Sequence, residues 1–430
     1  MQRYGAYKDS GVEWIGEIPE GWHTDILFRA ARILGSGCTP STDVESNYDG
    51  DIPWLQVCDL GKGRVASASK CISEWALSKH SVLSMYSAPF LAIAMYASIG
   101  SISFVQRDSC VNQAICAISA GQLELRYLYY ALKCAGPSML ADGVGGTQKN
   151  ISQQYLRKIK LPVPSFDEQQ AIADYLDGKT AEIDSIISQT ERSIELLREY
   201  RKSVISEAVT KGLDPDAPMK DSAVEWIGEI PARWEVKAVK YFCRLQTGHT
   251  PPSEMLEYYG GERNWFTPGD IQNCIADASS RRLTQKAFDD RQVPVYPPGS
   301  TLMVAIGATA GKVGFAPNES SSNQQITSFS PNGCFSKWLF YSLLNERERL
   351  FNLALFTTMP ILNNDYLSKH QIAVPPLPEQ QAIADYLDAK TAEIDSLIAD
   401  KQRQVELLKE YRKSLISEAV TGKFKVPGLE

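Results

Sequence analysis

EQQAIADYLDGKTAEIDS at residues 168–185 returns as EQQAIADYLDAKTAEIDS at 379–396, with Gly178 against Ala389 as the one difference. Working outward from that pair, EYRKSVISEAVT (199–210) returns as EYRKSLISEAVT (410–421) at the same offset of 211 positions. DSGVEWIGEIPEGW (9–22) returns as DSAVEWIGEIPARW (221–234) at an offset of 212, so the copies differ in length by one residue between Trp22 and Gly37. The stretches in between diverge but keep a skeleton. GSGCTP (35–40) faces QTGHTP (246–251), IPWLQVCDL (52–60) faces RNWFTPGDI (263–271), ASIGSISF (97–104) faces ATAGKVGF (308–315), and NQAICAI (112–118) faces NQQITSF (323–329). The chain therefore alternates a variable block with a near-constant one, twice.

The near-constant blocks read as long helices. Residues 168–210 contain no Pro; Pro162 and Pro164 precede them, and Gly212 and Pro215 follow as stop signals. Apolar side chains recur in a 4-3 pattern at Leu176, Ile183, Ile187, Ile194, Leu197, Val204 and Ala208, and again at Leu387, Ile394, Ile398, Val405, Leu408, Leu415 and Ala419. Thr180, Thr190, Arg201, Thr391, Lys401 and Arg412 take the polar steps of this seam. A period of 3.5 predicts a coiled coil, and about 40 helical residues would run roughly 60 Å. Two copies of one seam in one chain favour pairing with each other over burial in separate cores. Antiparallel pairing would create a pseudo-two-fold axis and bring the end of the chain to its start. A duplicated helix surface also predicts two copies of one partner.

The variable blocks mix short β-branched and aromatic runs with Gly, Pro and Ser turns, as in FLAIAMYASIGSISFV (90–105), plus helices near 122–134 and 336–351, which predicts α+β domains. Trp54 and Trp265 are expected in their cores. Gly37 and Gly248, each followed by X-Thr-Pro, are expected to shape an exposed loop.

The chain has 430 residues, enough for two or three domains. The nine cysteines, six in the first variable block and three in the second, include no CxxC pair, so reduced thiols in the cytoplasm are expected. The start of the chain lacks the apolar segment of a secretory leader. The net charge of -7 falls mostly on the first helical block (-5 over 166–220), while 1–165 carries +1 and 221–378 carries -1. Near-neutral variable blocks leave room for local basic patches that face phosphates.

Reading a base edge takes Arg or Lys for guanine, Asn or Gln for adenine, and Ser or Thr for either. The pool in the first block is Thr39, Lys62, Arg64, Thr147, Gln148, Lys149 and Asn150. In the second it is His249, Thr250, Arg263, Arg281, Arg282, Lys312, Asn363 and Asn364.

With its repeat, G-X-TP loops, PW…D-L segment, NQ stretches, GTQKNIS (146–152) and LPVPSFDEQQAIADYLD (161–177), the chain resembles the specificity subunits of type I restriction–modification systems over nearly its whole length. The resemblance implies two mixed α+β target recognition domains (1–165 and 214–376). Two long antiparallel coiled-coil helices (166–213 and 377–425) would separate them in a circular, pseudo-two-fold order, followed by a tail (426–430). Each domain would read one half of an asymmetric bipartite DNA site. The helices would set the unread spacer and dock two modification subunits, which methylate adenine N6 with S-adenosylmethionine. Restriction subunits that use ATP and Mg would join them. The second copy departs at FTTMPILN (356–363), where the counterpart of GGTQKNIS is expected.

Catalytic readings lack their residues. There is no (N/D)PP(Y/F) motif, GATAGKV (307–313) lacks the Gly spacing and the Ser/Thr of a phosphate loop, and the four His (23, 80, 249, 370) are scattered. A non-catalytic, cofactor-free and metal-free chain is expected. Two other readings stay open: a coiled-coil adaptor that binds protein, and the recognition subunit of a related system.

Overall fold

The computed structural model describes residues 2–61, 63–145, 149–352, 355–356 (backbone only) and 360–429. It divides into two compact units, Met1–Thr190 with Arg403–Glu430, and Glu191–Gln402. Each unit holds one α+β domain, the nearer part of one long helix and the far part of the other. The division thus falls within the helices rather than at their ends.

In the first unit a five-stranded sheet forms from β1 (Arg32–Ser36), β2 (Gly63–Arg64), β3 (Phe90–Ala94), β4 (Ile102–Val105) and β5 (Ile115–Ser119), in the order β1-β5-β3-β4-β2. The apolar run predicted as buried strands is β3 and β4, and every residue of β3 is buried. Only the β2–β4 pair is parallel. A second sheet of three short strands, Ile52–Leu55 flanked by Lys70–Ile72 and Cys110–Val111, carries Trp54 into a small core of its own. Helix Leu125–Asp142 covers the main sheet, starting later and ending later than expected.

The second unit repeats this plan. Its main sheet has β6 (Cys243–Thr247), β7 (Ser300–Val304), β8 (Val313–Ala316) and β9 (Ile326–Pro331), all antiparallel, in the order β6-β9-β7-β8. The fifth strand has shrunk to a single bridge, Ile275 to Phe315, where the first unit pairs Arg64 with Phe104. Trp265 is buried like Trp54.

Each domain closes on itself before its helix begins. Strand His23–Ile26 pairs with Lys160–Val163, and Glu235–Ala238 pairs with Gln371–Val374. The long helices then run over Phe166–Lys211 and Leu377–Val420. Their first turns explain the repeated EQQ. Buried Gln169 donates to Pro164 O at 3.0 Å and accepts from Glu124 N at 2.7 Å; Gln380 donates to Pro375 O at 2.9 Å and accepts from Phe335 N at 2.8 Å. Two to three turns further on, Tyr130 Oη donates to Asp177 at 2.7 Å and meets Thr180 Oγ1, while Tyr341 Oη does the same with Asp388 at 2.8 Å and Thr391. These bonds bolt each domain to its own helix.

The helices pair antiparallel within each unit. Arg412 bonds Asp184 at 2.9 Å in the first, and Arg201 bonds Asp395 at 2.9 Å in the second; the two contacts are one ion pair at the 211 offset. Every expected seam residue is buried or half-buried, with Leu197, Ile398 and Leu408 only half. The seam was an incomplete description of the buried surface, because Ile172, Ala173, Ile205 and Val209, with Ile383, Ala384, Ile416 and Val420, are buried too. Within the first unit the end of the chain returns to its start, with Lys425 N donating to Gln2 O at 2.8 Å. Among the described residues no helix is long and apolar enough to cross a membrane.

Candidate nucleic-acid interface

The G-X-TP loops are rigid for a steric reason. A Cβ on Gly37 would lie 1.8 Å from Val111 O, and one on Gly248 would lie 2.2 Å from Asn323 O, so only glycine lets the loop press against the neighbouring backbone. Side chains then pin both loops alike. Trp54 Nε1 donates to Cys38 O at 3.1 Å and Trp265 Nε1 to His249 O at 3.0 Å. Tyr48 Oη donates to Pro40 O and Tyr259 Oη to Pro251 O. The threonines project from these frames: Thr39 Oγ1 donates to Gln113 Oε1 at 2.5 Å, and Thr250 Oγ1 to Gln324 Oε1 at 2.6 Å.

Strand register gathers several candidates at one end of each main sheet. Ser36 pairs with Cys116 and Ala94 with Ile115, so the loops 37–40, 95–101 and 112–114 leave the first sheet side by side. The segment carrying Lys149 and Asn150 joins them, since Asn150 bridges Tyr96 and Ile151 N donates to Met95 O at 3.0 Å. Thr39, Gln113, Asn150 and the exposed ring of Tyr96 thus share one rim, and Lys149 reaches Leu140 O at 3.1 Å beside it. In the second unit the same rim holds Thr250, Gln324 and Lys312, whose Nζ donates to Gln272 Oε1 at 3.1 Å. Ile361 and Leu362, at the end of the departing stretch, meet the sheet as Asn150 and Ile151 do, with Leu362 N donating to Ala305 O at 2.8 Å and Ile361 bridging Ile306.

Other candidates lie elsewhere or carry structural bonds. Asn363 caps helix Asn364–Lys369 by accepting from Tyr366 N at 2.8 Å. Asn364 ties two strands, donating to Thr247 Oγ1 and accepting from Thr327 Oγ1. Arg263 is paired with Glu319 and lies over the Phe288 ring at 4.6 Å. Arg281 and Arg282 are exposed on the outer strand of the small sheet, Arg64 is exposed on β2, and exposed His249 contacts Gln292 O through Nδ1 at 2.9 Å. Lys62, Thr147 and Gln148 lie outside the described residues. Sequence reasoning missed Gln113, Gln324 and Tyr96 as site residues. The doubled NQ was the signal for the glutamines; nothing marked the tyrosine until its exposure was seen.

The electrostatics are those of a framework. Burial opposes ionisation of Asp270, but bonds from Thr267 and Ser280 outweigh it and hold the carboxyl below its usual range. All nine cysteines are unpaired. Burial pushes Cys110 and Cys116 up to about 11 and Cys134 and Cys334 up to about 12, which keeps them protonated thiols. Among the described residues no cluster of His, Cys, Asp and Glu has metal-site geometry.

Two pinned glycine loops, two rims of polar side chains and two helices bolted to their domains make one scaffold written twice in the chain. The family model described as type I restriction modification DNA specificity domain matches the chain twice, over residues 30–196 and 231–407. The chain belongs to the specificity subunits of type I restriction–modification systems. It is 24% identical over 430 residues to the type I restriction enzyme MjaIX specificity subunit of Methanocaldococcus jannaschii, covering 96% of both chains. It is 28% identical over 200 residues to the EcoR124I/EcoR124II specificity subunit of Escherichia coli, covering 44% of this chain and 46% of that one. Among solved structures, a chain from a study of type I R-M complex assembly and conformational transition superposes with a TM-score of 0.75 at 15% identity, over 95% of this chain and 99% of that one. The HsdS subunit of Thermoanaerobacter tengcongensis gives 0.55 at 17%, over 95% and 98%.

Proposed function

We propose that each domain reads one half of an asymmetric, bipartite DNA site through the rim at the end of its main sheet. One observation carries this reading: the frame of the rim, down to the Thr39–Gln113 and Thr250–Gln324 bonds, is held twice alike, while Tyr96, Lys149 and Asn150 of the first unit face Ile306, Pro360 and Ile361 of the second. Two different readers on one frame suit two different half-sites and exclude a palindrome. In the first unit Thr39, Gln113, Lys149 and Asn150, with Thr147 and Gln148 of the same loop, are the candidates for contact. In the second they are Thr250, Gln324 and Lys312, with His249 on the pinned loop and Arg281 and Arg282 on the small sheet; Arg64, on the edge strand of the first unit's main sheet, is a further candidate there.

The paired helices act as the ruler for the unread spacer, and their duplicated outer surface docks two modification subunits, with restriction subunits joining the complex. The chain itself contributes recognition in the cytoplasm. Methyl transfer and ATP-driven work belong to the partners, together with S-adenosylmethionine, ATP and Mg. Mapping N6-methyladenine across the genome with and without this gene tests the proposal. One split, asymmetric motif is expected to vanish on deletion; an unchanged map with an active modification subunit would refute it. Inserting a heptad into both helices is expected to alter the spacer and leave the half-sites unchanged.

A further inference from the structure

The segment after the second long helix makes the two units unequal. In the first unit Gly422 adopts a left-handed φ of 69°, and the chain folds back into a groove between the first long helix and the hairpin Tyr7–Asp9/Glu17–Pro19. Phe424 is buried there, its ring edge-on to Tyr175 at 5.9 Å. Lys423 Nζ donates to Glu17 O at 2.7 Å, and Tyr7 Oη donates to Lys423 O at 3.1 Å. Val426 is buried beside them.

The second unit has the same groove with different contents. Tyr386 stands where Tyr175 does, the hairpin Met219–Asp221/Glu229–Pro231 repeats its counterpart, and Ala208 repeats Ala419. The chain that enters is the link to the next domain, and it does not fill the space. Left-handed Gly212 meets Trp234 and Pro231 as Gly422 meets Trp22 and Pro19, but the apolar residue that follows it, Leu213, is 41% exposed, and the next is Asp214. Thr210 and Ile227 are half-buried where Thr421 and Ile15 are covered. A cavity of about 1030 Å³ remains, lined by Tyr386, Ala208, Leu213, Gly228 and the carboxylates of Glu207 and Glu229 among others.

We propose that this groove docks an extended segment of a separate protein that carries an aromatic side chain flanked by lysines. The chain's own Lys423-Phe424-Lys425 shows the chemistry that fits. The aromatic ring meets Tyr386 and the aliphatic floor, and the lysines meet a rim on which Glu207, Glu229 and Asp214 outnumber Lys211. The first unit's groove is closed by the tail, so one copy of the chain offers one such site. A partner that reaches it would bind the two helix surfaces unequally. The inference does not depend on the DNA reading.

The probe is a labelled peptide of residues 423–429, KFKVPGL, titrated into the full chain and followed by fluorescence anisotropy. One peptide per chain is expected, weakened at least tenfold by Tyr386→Ala and, independently, by Glu229→Lys. A peptide with Phe424 replaced by Ala should lose binding to a similar degree. A chain ending at Gly422 is expected to bind two peptides, one of them insensitive to Tyr386→Ala. Absence of binding to the full chain at millimolar peptide, or binding indifferent to both substitutions, would overturn the proposal. So would concentration-dependent dimers of the full chain that Tyr386→Ala abolishes, since the occupant would then be the tail of a second copy.

Discussion

Tyr130 in the first unit and Tyr341 in the second make the same bonds to the same two helix residues; Asn150 and Ile361, at the same offset, share only a backbone bridge. The contrast runs through the molecule. At the EQQ glutamines and at the tyrosines that meet each long helix, the two units agree in position, bond and distance. At the end of the main sheet they agree in loop path and in the Thr–Gln bond, and differ in the side chains around it. The agreement marks what holds the scaffold, because a buried polar group needs one particular partner. The difference marks what is free to vary, because rim side chains project from a backbone fixed by other bonds.

The comparison breaks most visibly at the glycines. Gly37→Val and Gly248→Val each drive a side chain into a neighbouring carbonyl, so each should cost about 3 kcal/mol or more. Hydrogen exchange read by mass spectrometry is expected to show the loss in the mutated unit alone. Loss spread evenly over both units would mean that the two domains do not unfold as separate cores.

Gln169→Leu and Gln380→Leu come next. Each leaves a part-buried backbone N–H and a buried carbonyl without their partner, at a cost of about 1–3 kcal/mol. Tyr130→Phe and Tyr341→Phe should each cost about 1 kcal/mol, and a double-mutant cycle with Asp177→Asn or Asp388→Asn should give matching coupling energies. Unequal couplings would show that the matched geometry conceals unequal duties.

Much of this scaffold was legible before any coordinates. The repeat announced two units, the 3.5 period announced the helix pair, and Pro162, Pro164, Gly212 and Pro215 marked its ends. The glycines of the X-Thr-Pro loops and the tryptophans of the cores stood where their chemistry required. The buried glutamines of EQQ were not legible, because in a helix an exposed and a buried Gln look alike until the domain packed on them is known. The rim was legible only in part. Base-reading residue types are also common capping and cross-linking types, so Asn363 and Asn364 look like Asn150 in a sequence while they cap a helix and tie two strands. Gln113 and Tyr96 depend on strand register, which a sequence of short diverged strands does not state.

A smaller effect gives the first unit a dependence on pH. In the first, Glu168 is opposed by burial but held below the usual glutamate range by bonds from Trp22 Nε1 and Ser165. In the second, Glu379 turns to Arg233 at 3.1 Å, and Trp234 Nε1 is buried with no acceptor among the described residues. A folded value below the unfolded one adds stability above the unfolded pKa of about 4.3, and that stability is lost as pH falls through the folded value. Acid titration below about pH 4.5 should therefore loosen the start of the first helix, and Glu168→Gln should remove that part of the pH dependence. An identical acid profile in the variant would exclude this carboxyl as the cause.

The smallest expected effect is the sharpest test of symmetry. Arg412 with Asp184 and Arg201 with Asp395 are one ion pair in two settings, each half-exposed. Solvent screening limits either to about 0.2–1 kcal/mol. Arg201→Ala and Arg412→Ala should lower the melting temperature by similar, small amounts that shrink in high salt. Their surroundings differ on both sides: Arg201 lines a cavity of about 650 Å³ with Arg198, Lys202, Arg347 and Glu348, while Arg412 lies near Lys133, where the second unit has Leu344. Each arginine thus has a cationic neighbour of its own, so the two losses should match within a few tenths of a kcal/mol, roughly the scatter of exposed pairs. A clear inequality would mean that these neighbours, and not the shared pair, set the contribution of each arginine.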